Sequence, residues 1–130
     1  MNTDSLFKPF NLKSLNIKNR IVMAPMTRSF SPNGVPTNDV ADYYQKRAEG
    51  EVGLILSEGT VIDRVSSSND ANVPHFYGDK ALAGWKNVID KVHSAGGAMA
   101  PQIWHMGIMD NHQSGWVPSQ PCEGPSGLNR

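Results

Sequence analysis

Apolar residues fall along the chain in three continuous runs separated by two stripes of helical period. The runs are "IVMAPM" (Ile21 to Met26), "VGLILSEGTVI" (Val52 to Ile62) and "AMAPQIWHM" (Ala98 to Met106). Strands covered on both faces read this way, and parallel sheets flanked by helices contain such strands. In "TNDVADYYQKRAEG", Val40, Tyr44 and Ala48 recur every four residues. Thr37 is placed to cap that helix, Asp39 suits its first turn and Gly50 stops it. In "DKALAGWKNVIDKVHSAGG", Trp85, Val88, Ile89 and Val92 make a second stripe, with Asp79 as the expected cap and Gly96-Gly97 as the stop. The opening "LFKPFNLKSLNIKNR" has short apolar pairs between polar turns and reads as a hairpin. "SFSPNGVP" is a loop by its Ser, Pro, Asn and Gly content.

The order is hairpin, strand, helix, strand, helix, strand, tail, which assigns 1–19 to the hairpin, 20–106 to three strands with two helices, and 107–130 to a loop segment. Right-handed crossovers place the three strands side by side and parallel. The expected class is α/β, a hairpin plus the first three parallel strands and two helices, which would be a partial TIM barrel if these units begin a closed (β/α)8 barrel. Three strands and two helices leave both sheet edges open, so further strands, from the same precursor or another chain, are expected to cover them.

The 130 residues carry 12 Lys and Arg against 12 Asp and Glu. Such a balance provides no electrostatic pull toward nucleic acid or an anionic membrane. No apolar run reaches bilayer-spanning length and the N-terminus lacks an export pattern, so a cytoplasmic location is expected. The one cysteine, Cys122, lies in "SQPCEGPSG" and reads as a loop thiol.

In a barrel of this kind the active face is built at the C-terminal ends of the strands. Thr27, Ser57 to Thr60, Gln102 and Trp104 fall there. Period-two alternation puts Ala98, Ala100, Gln102 and Trp104 on one side of the third strand, and Met99, Pro101, Ile103 and His105 on the other. A glutamine can read a ring edge that has both a carbonyl and an N–H. A neighbouring indole can wall the space above such a ring, and a side-chain-free Gly59 lets backbone approach it. Structural roles compete with these: Gln satisfying backbone, Trp filling core, and Gly marking a bulge.

The segments "LFKPFNLKSLNIKNRIVMAPMTR", "ADYYQKRAEGEVGLILSEGT", "NDANVPHFYG", "GWKNVIDKVHSAGG" and "QIWHMG" resemble, in order and spacing, the amino-terminal third of the Old Yellow Enzyme family of FMN-dependent ene-reductases. The resemblance implies a (β/α)8 barrel with FMN across its C-terminal mouth. It makes Ala24, Pro25 and Met26 a backbone shelf under the flavin, and Thr27 a donor to the flavin C4 carbonyl and a pocket residue. Gly59 becomes a flavin contact, Gln102 the partner of the pyrimidine edge, and Trp104 a shaper of the substrate pocket. NAD(P)H is then the hydride donor and an activated alkene the acceptor. The substrate-gripping His/Asn or His/His pair, the proton-donating Tyr and the FMN phosphate site are implied on later strands. No catalytic residue is therefore assigned on this chain, and a complementary C-terminal barrel polypeptide is the expected partner. "QIWHMGIMDN" departs from the family with Ile108 and Asn111 where Arg and His are common, and "RVSSSNDANV" replaces a pocket-lining Tyr.

Other chemistries fit less well. His75, His93, His105 and His112 follow no metal-ligand spacing. Ser66 to Ser68 lack a nucleophile elbow, and no dinucleotide or P-loop glycine motif is present. An inert fragment or interaction module, or the front end of another flavin-barrel dehydrogenase, remain the alternatives.

Overall fold

The computed structural model describes residues 3–109 and 115–127. Asn111 and His112 lie outside the described residues.

A short 3-10 turn, Asp4–Phe7, precedes the expected hairpin, in which β1 (Phe10–Leu12) pairs antiparallel with β2 (Leu15–Ile17). The hairpin is tied to the main sheet by Asn19, which is 3% exposed. Its amide donates to the Glu51 carbonyl at 2.6 Å, and its side-chain oxygen accepts from the Ile21 N–H at 3.0 Å. Gly53 must be glycine here, because a Cβ would lie 2.4 Å from that same oxygen.

The main sheet is parallel, in the order β3 (Val22–Met23), β4 (Leu54–Val61), β5 (Ala98–Trp104). β3 is shorter than the apolar run that predicts it. Val22 and Met23 pair with β4, and Ala24 to Met26 continue without a ladder partner among the described residues. Pro25, with no N–H to donate, fits an unpaired stretch. β5 likewise ends at Trp104 rather than Met106.

Helices α1 (Asn38–Glu49) and α2 (Asp79–Ser94) cover one face of the sheet. Thr37 caps α1 as expected, its hydroxyl accepting from the Val40 N–H at 3.4 Å. The cap of α2 differs from the expectation. Gly78, in a left-handed conformation at φ 75°, occupies the cap position, and Asp79 is the first helical residue. The approaching chain needs a positive φ that glycine supplies at low cost, and Asp79 still favours the positive end of the helix dipole.

Val40, Ala41, Tyr44 and Ala48 of α1, Trp85, Val88 and Val92 of α2, and Ile55 of β4 form one buried cluster, against which Met23 and Met99 pack. The core therefore lies between the helices and one sheet face. The other face, where Leu54, Leu56, Ala98 and Ala100 are half-buried and Val22 is 50% exposed, is the one a closed barrel would enclose. Among the described residues the sheet does not close into a barrel. No helix among them is long and apolar enough to cross a membrane.

Candidate functional site

The C-terminal ends of three parallel strands meet on one rim. From β3 the chain runs through Ala24, Pro25 and Met26 to Thr27. Ala24, Met26 and Thr27 are exposed and Pro25 is half-buried. From β5 come Gln102, exposed, and Trp104, half-buried. Gly59 lies between them on β4, directly opposite Gln102. Among the described residues neither the Thr27 hydroxyl nor the Gln102 carboxamide makes a hydrogen bond. Both groups are exposed, one just past β3 and one on β5, so they are open to solvent or to a ligand.

β4 does not alternate regularly. Leu54, Ile55 and Leu56 face Ala98, Met99 and Ala100, but Gly59 to Val61 face Gln102 to Trp104, so a bulge intervenes at Ser57 and Glu58. Ile55 and Met99 belong to the helix-side core. Ser57 borders α2 residues and Glu58 meets Tyr44 of α1, so two successive side chains turn to the helices. Gly59 consequently shares a face with Gln102 and Trp104. A Cβ at Gly59 would come 2.5 Å from the Trp104 indole, so the indole itself is what needs the glycine's missing side chain. The indole Nε1 is buried without a hydrogen-bond partner among the described residues. The bulge and the packed tryptophan are both structural roles that the sequence allowed, and Gly59 itself is buried beneath the indole.

Glu58, 0% exposed, is the residue whose importance the sequence reading missed. Its Oε1 accepts from Arg28 Nη2 at 3.2 Å and from the Tyr44 hydroxyl at 3.4 Å, while Oε2 accepts from the Arg28 backbone N–H at 3.3 Å. The Tyr44 hydroxyl accepts in turn from the Glu58 N–H at 2.7 Å. Burial, helped by the nearby Glu58 carboxylate, raises the Tyr44 pKa far above the ordinary phenol value. The Arg28 and Arg47 guanidiniums each lie 3.4 Å from the centre of the Tyr43 ring, too close together to share one face, so they stack on opposite faces. The signal for this network was a lone acid inside an apolar run and a lone arginine just past another, since charges so placed must pair.

The remaining sequence candidates serve the loops. Ser67 Oγ donates to the carbonyls of Ile62 at 3.0 Å and Arg64 at 2.7 Å, and Ser68 Oγ to that of Asp70 at 2.8 Å. His75 stacks on Tyr77, with ring centres 4.6 Å apart. His93 is exposed in the last turn of α2. His105 Nδ1 accepts from the Gly107 N–H at 3.0 Å. Cys122 is a half-buried free thiol. Among the described residues no three His, Cys, Asp or Glu side chains gather as a metal site.

An apolar cleft of about 270 Å³ lies on the helix side, bordered by Leu82, Trp85, Ile89, Met99 and Pro101. It is remote in character from the polar rim. It marks the open edge of β5 beside α2, where a further strand and helix would pack in a barrel.

The profile of the NADH:flavin oxidoreductase / NADH oxidase family matches residues 5–129. 12-Oxophytodienoate reductase 7 of Oryza sativa subsp. japonica is 38% identical over 102 residues, covering 78% of this chain and 25% of that protein. Morphinone reductase, solved in complex with tetrahydroNAD, superposes with a TM-score of 0.73 at 43% identity, over 79% of this chain and 28% of that one. The Old Yellow Enzyme homologue of Zymomonas mobilis superposes with a TM-score of 0.73 at 38% identity, over 79% and 28%. The chain belongs to the Old Yellow Enzyme family of flavin oxidoreductases, and its α/β fold is part of that family's TIM barrel. It spans about a quarter of the length of the curated relative and solved structures it matches.

Proposed function

We propose that this chain supplies one side of the FMN site of an ene-reductase and works when further strands complete the barrel. The observation that carries the reading is the pair of exposed polar side chains, Thr27 just past β3 and Gln102 on β5, which have no hydrogen-bond partner among the described residues and flank Gly59. The donor set suits the isoalloxazine edge: a hydroxyl that donates to a carbonyl, and a carboxamide that both donates and accepts. FMN, when bound, carries hydride from NAD(P)H to the β-carbon of an alkene conjugated to a carbonyl or nitro group.

The chain's own residues orient that group and tune it. Ala24, Pro25 and Met26 offer extended backbone and apolar surface as a shelf. Thr27 donates to the C4 carbonyl and so stabilises the electron-rich reduced ring more than the oxidised one. Gln102 reads the pyrimidine edge, and Trp104, packed on Gly59, borders the substrate space. Reductases of an oxo-dienoate and of morphinone among the relatives support a conjugated carbonyl substrate, and the tetrahydroNAD complex supports a nicotinamide donor. The proposed partner is a C-terminal polypeptide that brings the substrate-gripping pair, the proton donor and the phosphate site.

A second reading, an interaction module without turnover, is favoured by the apolar cleft and by Ile103, 52% exposed on the open edge of the sheet. Purifying the chain alone and with a C-terminal complement separates the two. Ene-reduction predicts a yellow complex and NAD(P)H-dependent enone reduction only in the mixture, with Thr27→Ala lowering the flavin potential. A colourless mixture, or an unchanged potential in Thr27→Ala, counts against the assignment.

A further inference from the structure

β4 carries one residue more than β5 between Leu56 and Gly59, and the surplus sits between the two positions on which the flavin reading rests. Bulges next to active sites commonly re-aim side chains. Here both bulge residues are buried, Ser57 at 1% exposure and Glu58 at 0%, and each reaches a different neighbouring strand.

Ser57 reaches β5. Its Oγ accepts from the Gln102 N–H at 3.0 Å and donates to the Glu58 carbonyl at 2.7 Å. A side-chain hydroxyl thus replaces the ladder bond that the bulge interrupts, and it does so at the backbone of the ring-reading glutamine. Glu58 reaches the other way, holding both the backbone N–H and the guanidinium of Arg28. Residues 24–27 have no ladder partner among the described residues, so the segment that ends in Thr27 is anchored at Arg28, by this carboxylate and by the Tyr43 ring on which the guanidinium stacks.

We infer that the Ser57–Glu58 bulge is a two-armed positioning element that sets Gln102 and Thr27 relative to one another. The inference rests on the flavin reading of those two residues. Ser57 and Glu58 are buried and spend their side chains on Gln102, Arg28 and Tyr44, so both are positioning residues. The parity of the strand adds an electrostatic reason. In a regular β4, Glu58 would follow Leu54 and Leu56 onto the open face. Its carboxylate would then stand beside a ring that gains electron density on reduction, a repulsion magnified away from water. The extra residue turns the carboxylate to Arg28 and brings Gly59 to the open face instead.

Glu58→Gln leaves the Arg28 cation buried without a counter-charge and endangers the fold, so Ser57→Ala is the deciding variant. Ser57→Thr is the rescue, since threonine keeps the β-hydroxyl that accepts from the Gln102 N–H. The experiment measures amide hydrogen exchange at Gln102, FMN affinity and the flavin absorption spectrum in the barrel assembled from this chain and its C-terminal complement. Ser57→Ala is expected to speed exchange at Gln102 and weaken FMN binding, each about tenfold, as loss of one buried hydrogen bond implies. It should also shift the flavin bands, and Ser57→Thr should restore all three readouts. Unchanged exchange at Gln102, or faster exchange with wild-type affinity and spectrum, overturns the positioning role. An unsubstituted assembly that takes up no FMN overturns the flavin reading instead, while the exchange comparison still decides whether Ser57 holds Gln102.

Discussion

Arg28 and Glu58 show how much one buried pair decides. The carboxylate is fully buried and the guanidinium side chain is 13% exposed, so removing either partner strands a charge away from water. Glu58→Ala should cost about 3–5 kcal/mol in chemical denaturation. Lys86→Ala, which removes a surface ion pair to Asp90, should cost less than about 1 kcal/mol. Equal losses in the two variants would show that the buried pair has no special weight. His75 makes a pH prediction. Burial holds its imidazole below the ordinary 6.5, with Asp63 partly opposing. The unfolded chain takes up the proton near 6.5 while the folded chain resists it. The stability linked to this residue is therefore present above about pH 6.5 and lost as pH falls toward the depressed value. His75→Phe, which keeps an aromatic ring against Tyr77, should flatten that part of the stability-versus-pH curve. An unaltered slope would place the titration elsewhere.

At the scale of elements, α1 and α2 were legible because amphipathic stripes report burial directly. Val40, Tyr44, Ala48, Trp85, Val88 and Val92, named from spacing alone, lie in the core, whereas Ile89 of the same stripe is half-buried and borders the open cleft. Val88, 0% exposed at the centre of that cluster, supports a third prediction. Val88→Ala should cost about 2 kcal/mol, because two methyl groups leave a cavity that the rigid sheet below cannot fill. A loss under about 0.5 kcal/mol in a urea titration would mean that the helices close over the gap. The ends of elements were less legible. Gly78 in place of Asp79 as cap, and the early end of β3, follow from backbone angles and ladder partners that side-chain patterns do not encode. The β4 bulge escaped for a related reason. Periodicity shows which residues are apolar, whereas a slip of register depends on the facing strand.

For the molecule as a whole, the helix-covered face is finished and the opposite face is not. Val22 at 50% and Ile103 at 52% exposure lie on the two edge strands of an open parallel sheet, an arrangement that seeks further pairing. The mixing experiment described for the flavin site has a reading at this scale too: the chain by itself should bind an apolar dye at its open face and edges, and the completed barrel should not. The family, the α/β class, the strand order and the rim carrying Thr27, Gly59 and Gln102 were determined by the sequence, since burial and turn chemistry are written in residue type and spacing. Only the tertiary structure decided that Glu58 turns away from that rim to meet Arg28, that Trp104 rests on Gly59, and that Ser57 holds the Gln102 backbone. Those facts depend on which residues of distant strands end up opposite one another, and a one-residue slip in β4 changes every answer.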